Sequence, residues 1–317
     1  MRNNKSFALP VEFTWKRARA GYQWSDTKHG RLLYAVDALQ PDWQNTFKDY
    51  ETIYRPLDQH TGLFREFAAL EPNERQVVAF ANRFGLLGSA GHLELESEYG
   101  PVLVYAEPLA LWAEEIEAFK LALEAWNGLE TGASQGPIKL KSKWSAPGLP
   151  LAIRRALHLD DDDPAKAALS VVRMLVDARI SEHIETRLCF PANSPRLNIS
   201  LVPTNLIGAL WLQFAVAVDG LKSFNECAQC GASFEVSRDP RTGKRSDALF
   251  CSPRCRVGHY RDRIEQARRM GSNGMTAERI AHELNTEVAT VQGWLANAQT
   301  RGAKARRARP KTSRRRK

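Results

Sequence analysis

Cys227-Ala-Gln-Cys230-Gly231 and Cys251-Ser-Pro-Arg-Cys255, with twenty residues between Cys230 and Cys251, form the stretch on which the reading of this chain turns. The first pair forms a C-x2-C-G knuckle. It suits a tight turn in which glycine relieves backbone strain and lets amides face the sulfurs. The second pair, with Ser252-Pro253 supplying helix-start chemistry, puts its thiols at i and i+4 on one face of a helix. Between the pairs, Ser233 to Val236 and Ala248 to Phe250 read as a small hairpin joined by Asp239-Pro-Arg-Thr-Gly-Lys. Four converging thiolates leave no open coordination position, the pattern of a structural Zn²⁺ site with Cys227, Cys230, Cys251 and Cys255 as ligands. Such a site contributes on the order of 10–16 kcal/mol of apparent binding energy at neutral pH. A module of about 45 residues, too small to own a core, depends on it. The competing readings are four unrelated core cysteines, or His259 replacing Cys255 as a ligand.

The rest of the composition agrees. Four of the five cysteines lie within 29 residues, which in a cytosolic chain favours a metal over disulfides. Cys189, between Leu188 and Phe190, reads as a small buried hydrophobe. The 317 residues are 43% hydrophobic and 26% charged, ordinary globular composition for about two domains. No stretch approaches the ~20 apolar residues of a membrane span. Leu206 to Val218 is too short and contains Gln213, and Phe7 to Phe13 is interrupted by Pro10 and Glu12, so neither a span nor a secretory signal is expected. The expected location is the cytoplasm.

The net charge of +9 is unevenly placed. Residues 224–317 carry 21 basic and 9 acidic side chains, net +12, and residues 1–223 are net −3. Such a block attracts polyanions, nucleic acid above all. Around the cysteines stand Arg238, Arg241, Lys244 and Arg245 in the hairpin loop and Arg254, Arg256, Arg261, Arg263, Arg268 and Arg269 beyond it, with Tyr260 among them. Arginine suits bidentate phosphate contact and stacking on bases. The plainer reading is a solvated helix face, and Asp262 and Glu265 temper its charge. After Gly271 to Gly274, read as a linker, Thr276 to Leu284 reads as a capped helix, Asn285-Thr286-Glu287 as a turn, and Val288 to Ala298 as a second helix. Ile280, Ala281, Leu284, Val291 and Trp294 have the spacing that packs a helix-turn-helix. Glu287, Ala289, Thr290, Gln292 and Gly293 are then its base-facing candidates, and a hairpin for protein contact is the alternative. Residues 301–317 hold ten basic residues and no acid, a disordered phosphate tether or a solubilising tail.

Residues 1–222 read as one helix-dominated α+β domain. Strands are expected within 7–36 about the turn Thr27-Lys28-His29-Gly30. Apolar stripes predict helices within 62–87 and over 107–127, the latter with Leu109, Trp112, Ile116, Phe119, Leu123 and Trp126 inward. Asp163-Pro164 starts a helix running to about Glu182, though the four acids of Asp160 to Asp163 could instead hold a divalent cation. Thr204 to Leu221 should lie at the domain's centre. The expected organisation is therefore 1–222, a zinc finger over 223–270, a helix-turn-helix-like pair over 274–298, and a basic tail over 299–317.

The stretches CAQCGASFEV and ALFCSPRCRVGHYRDR resemble the treble-clef finger of the CGNR-type zinc-finger proteins, bacterial stress-response transcription regulators with a helical N-terminal domain. Phe80-Ala-Asn-Arg-Phe-Gly-Leu-Leu87 and Leu206 to Phe214 resemble helices of that domain. The second knuckle departs from the family pattern, Arg256-Val257-Gly258 standing where the family has Gly-Asn-Arg, as in a sister group of the same layout. Residues 276–298 resemble the helix-turn-helix of resolvase-like and sigma-factor-like proteins, with Asn285 at the turn glycine. The resemblance implies zinc on the four cysteines and a nucleic-acid partner, DNA before RNA, with residues 1–222 sensing, dimerising or meeting a protein. No phosphate-binding glycine loop, G-x-S-x-G or H-E-x-x-H motif is present. An enzyme would have to use the alternating His92, Glu94, Glu96 and Glu98, or a pocket lined by Trp15, Tyr22 and Trp24.

Overall fold

The structure, a computed structural model, describes residues 13–39, 51–130, 139–140, 164–189, 197–220, 222–237 and 244–296. It is a mixed helix and sheet architecture in which helix outweighs strand. Packing divides it into two compact units: Met1–Asn225 with Ala232–Asp247, and Glu226–Gly231 with Ala248–Lys317. That division cuts across the expected 223–270 module. Among the described residues no helix is long and apolar enough to cross a membrane.

The first unit begins with strands β1 (Trp15–Ala18), β2 (Tyr22–Thr27), β3 (Gly30–Ala35) and β4 (Glu51–Tyr54). The expected turn between β2 and β3 is there, with Gly30 at φ +95° and Thr27 Oγ1 donating to its carbonyl at 2.7 Å. Helices α1 (Leu63–Ala68) and α2 (Glu74–Phe84) follow, then β5 (Gly91–Ser97), β6 (Gly100–Pro108) and helix α3 (Leu109–Asn127). Strands order as β2-β3-β6-β5 in one antiparallel sheet, and β1 pairs with β4. Helix α4 (Pro164–His183), the β7 (Ile184–Cys189) and β8 (Asn198–Pro203) hairpin, and helix α5 (Leu206–Asp219) complete the core; β9 (Ser223–Glu226) and β10 (Ser233–Val236) form a two-stranded ladder. The Asp160 to Asp163 start lies outside the described residues.

Helix α5 carries no charge before Asp219 and is buried along most of its length, because helices α1, α3 and α4 pack around it. Phe119 of α3 stacks on Trp211 of α5 with ring centroids 3.9 Å apart. The cost of placing Glu115 in this apolar contact is met by Arg179 Nε at 2.9 Å and Trp211 Nε1 at 3.1 Å.

The segment Arg83 to Gly88 is the hub of the unit. Its carbonyls at Arg83, Phe84 and Leu86 accept from Arg17, Tyr54 and Trp15 side chains, and Leu87 O accepts from Ile207 N. Gly85 is at φ +88°, and a Cβ there would meet the Lys16 carbonyl at 2.5 Å. Fully buried Glu107 accepts from Leu87 N at 3.0 Å, Gly88 N at 2.7 Å and Tyr105 OH at 3.1 Å. Burial pushes this carboxyl up to about 7, against the pull of those donors. The folded chain therefore keeps a proton that the unfolded chain releases, and this group's contribution to stability falls as pH rises from about 4.5 to about 7. Glu107→Gln has one acceptor oxygen for the two backbone N–H groups. It is expected to cost about 1–3 kcal/mol in chemical denaturation and to flatten that pH dependence. A variant with the parent's stability and pH slope would refute the bracing role.

The second unit is built on α6 (Pro253–Ser272), α7 (Ala277–Glu283) and a helix over 288–296, α8. Gly271 to Gly274 is not a linker, since α6 continues through Ser272 and the turn is confined to Asn273 and Gly274 (φ +84°). Gly271 is helical, and Leu295 lies 2.9 Å from where a Cβ would be, so a side chain there would have to displace it. Thr276 caps α7 as expected, and Asn285 turns the chain at φ +44°. Ala267, Ile280, Ala281, Val291 and Trp294 form a small core between the three helices.

Candidate metal centre and cationic surface

The four cysteines converge in the second unit, their sulfurs all within 4.8 Å of one another. Cys227 is buried at 2% exposure. Gly231, at φ +72°, donates its N–H to Cys227 O at 2.9 Å and closes the first knuckle. The second pair is brought alongside by Ala228 N donating to Leu249 O at 2.9 Å and Cys251 N donating to Cys227 Sγ at 3.4 Å. This corrects the expected hairpin: Ser233 to Val236 pairs with β9, not with Ala248 to Phe250, whose backbone instead carries the clamp to the first knuckle. It also corrects the placement of Cys251, which precedes the helix. Ser252 is the cap, accepting from Cys255 N at 3.2 Å, Pro253 opens α6, and Cys255 sits in its first turn.

Sulfur separations are 3.4 Å for Cys251–Cys255 and 3.7 Å for both Cys230–Cys251 and Cys230–Cys255. Disulfide sulfurs stand about 2.05 Å apart; the edge of a tetrahedron of sulfurs at about 2.3 Å from a central ion is about 3.8 Å. The four residues can hold a metal ion, and their geometry fits one. Their electrostatics favour a cation as well. Burial works against ionising Cys227, but the backbone N–H groups of Cys251, Gln229 and Cys230 lower it to about 6. Burial, then the neighbouring Cys255, Cys227 and Cys230 sulfurs, push Cys251 up to about 12. Thiols this close ionise together only around a positive ion. The amino end of α6 adds a favourable partial charge beside Cys255. His259 is not in the sulfur cluster; its ring lies 5.1 Å from that of Phe250.

The basic residues separate into groups. Arg238 and Arg241 lie outside the described residues, as does the tail 299–317. Lys244 and Arg245 belong to the first unit, where Lys244 Nζ stands 5.2 Å over the Phe234 ring and Arg245 pairs with Asp247 at 2.9 Å. Arg254, Arg256, Arg261 and Arg269 are exposed on α6, and none is ion-paired among the described residues. Arg263 is turned inward. Its Nη2 donates to Leu284 O at 2.6 Å, and its guanidinium lies 5.7 Å from the Trp294 ring centre, so it braces the α7–α8 turn. Arg268 Nε likewise donates to Trp294 O at 3.4 Å. On α8, Gln292 is exposed and Thr290 half-buried, with exposed Ala289 and Gly293 beside them.

Two features escaped the sequence. Gln229 in the knuckle donates to Asp262 Oδ2 at 2.7 Å, tying the first cysteine pair to α6. Beside it runs a groove of about 540 Å³ lined by Gln229, Pro253, Arg254, Cys255, Val257, Gly258 and Arg261. The helical spacing of Arg254, Val257, Gly258 and Arg261 was the available signal for the groove; the Gln229 contact had none.

In the first unit, Trp15 and Trp24 donate to the Leu86 and Glu74 carbonyls, and the Tyr22 hydroxyl accepts from Ala18 N, so each of these rings braces backbone. His92, Glu94 and Glu96 are exposed along β5, and Glu98 lies in the turn that follows. The four cysteines are the one group among the described residues whose ligand atoms are close enough to hold a metal. Comparison with protein-family models, curated proteins and solved structures returns no match for this chain.

Proposed function

We propose that this chain is a zinc-dependent nucleic-acid-binding protein, a DNA-binding transcription regulator. In this reading, Cys227, Cys230, Cys251 and Cys255 hold Zn²⁺ in a treble-clef finger of the kind found in CGNR-type proteins. Helices α7 and α8 serve as a helix-turn-helix, with Thr290 and Gln292 toward the bases, and the basic tail follows the phosphates. The less charged residues 1–222 sense a signal, dimerise or meet a protein partner. One observation carries the reading. Helix α6 joins the sulfur cluster at its first turn to the small helical core at its last, and exposes Arg254, Arg256, Arg261 and Arg269 with no acidic partner among the described residues. Unpaired guanidiniums on a rigid helix match a polyphosphate.

The test is affinity of the zinc-loaded full chain for duplex DNA across a salt series. Each phosphate neutralised adds about −0.9 to the slope of log K against log salt. Arg254, Arg261 and Arg269, on one side of α6, alone give about −2.7, and tail contacts steepen it. Undetectable or salt-insensitive binding would refute the proposal. Single-stranded RNA displacing the duplex at equal concentration would reassign the partner to RNA.

A further inference from the structure

We propose that the groove beside the sulfur cluster seats the sugar–phosphate backbone of one nucleic-acid strand, Arg254 and Arg261 each holding a phosphate while Val257 packs against the sugar between them. The inference rests on the nucleic-acid reading above and names the surface of the second unit that makes the grip.

Arg254 and Arg261 are seven residues apart, two turns or about 10 Å of helix axis, and so share a face. Both line the groove and both are exposed. Between them along the helix Val257 is 45% exposed and supplies the apolar floor, and Gly258, without a side chain, has the Gln229 side chain against it; Pro253 adds a further apolar lining residue. Cation, apolar floor, cation is the complement of phosphate, sugar, phosphate. The acids nearby do not fill it. Asp262 accepts from Gln229, and Glu265 is absent from the lining. Three lining residues have base-reading chemistry: the Gln229 amide is engaged by Asp262, and in this grip the Arg254 and Arg261 guanidiniums are engaged by phosphates. The groove therefore positions a strand without reading its sequence. Arg256 stands about 200° around the helix from Arg254, away from this grip.

The experiment uses the zinc-loaded full chain and two duplexes of unrelated sequence. Val257→Glu places a carboxylate between the two arginines and is expected to weaken both duplexes tenfold or more, while Val257→Lys weakens neither. The pair Arg254→Ala with Arg261→Ala is expected to make the salt slope shallower by about 1.8, two phosphates' worth. Zinc content is measured on every variant; should a Val257 variant lose its metal, the arginine pair decides by its slope. Parent-like affinity in V257E together with an unchanged slope in the arginine pair would overturn the groove assignment and leave the nucleic-acid reading standing. So would a loss confined to one of the two sequences. A parent chain that binds neither duplex would overturn both.

Discussion

Removal of the metal, by chelation or by Cys251→Ser, is expected to unfold the first half of the second unit and to leave its helical core packed. Between Glu226 and Gly231, and again between Ala248 and Arg263, Cys227 is the one residue in the buried core; Leu249, Val257 and Tyr260 are exposed. Apart from half-buried Phe250, no large apolar side chain of these stretches is available to replace what an ion would contribute. A structural zinc contributes on the order of 10–16 kcal/mol, as much as the whole stability of a typical domain, about 5–15 kcal/mol. Helix α6 should therefore fray from Pro253 toward Tyr260, where contact with Trp294 begins. Hydrogen exchange reads this directly. Amide protection over 251–259 should vanish on chelation and persist over 277–296. Exchange that is the same with and without chelator would refute a structural metal. Protons compete for the same sulfurs, so acid should release the ion and produce the same local unfolding.

The second large effect is expected at Trp294. Its ring closes the core of α6, α7 and α8, its Nε1 donates to Tyr260 OH at 3.0 Å, and the Arg263 guanidinium lies 5.7 Å from its centre. Trp294→Ala opens a cavity and strands the Tyr260 and Arg263 contacts, at an expected cost of about 3–5 kcal/mol. Trp294→Phe keeps most of the apolar volume and loses the indole N–H, an expected cost nearer 1 kcal/mol. Because the two units need not unfold together, the measure is exchange protection over 277–296 and not a single melting midpoint. Metal content should stay stoichiometric in both variants, since the cysteines lie at the other end of α6. Equal protection in parent and alanine variant would show that the core does not depend on this ring.

Much of this was legible beforehand where the cause is local. Cysteine spacing announces a ligand set because the chain between two ligands must be short to bring them to one ion. Helix α3 was readable because Trp112, Ile116, Phe119, Leu123 and Trp126 repeat at helical spacing, and all five are buried. The left-handed turn was readable at Asn285, whose short polar side chain tolerates it. Strand partners were not. Ser233 to Val236 has the alternation of a strand, but alternation does not say which strand lies beside it. Nor was the close approach to Gly271 of a leucine 24 positions away, which a side chain there would have to displace. Glu107 gave no sign of burial, since its two backbone donors come from a loop on the other side of a hairpin.

By itself, then, the amino-acid order determined the two cysteine pairs, the main helices and the placement of positive charge in the last third, because each depends on neighbours within a turn or two; the backbone clamp that joins the pairs came from the tertiary structure. Only the tertiary structure decided which arginines are free. Arg261 and Arg263 are two positions apart on one helix, and sequence offers no way to rank them. Folding turns Arg263 onto the Leu284 carbonyl and the Trp294 ring and leaves Arg261 in solvent beside the groove. A helix rotates successive residues by 100°, and what lies in each direction is set by segments that the local sequence does not contain.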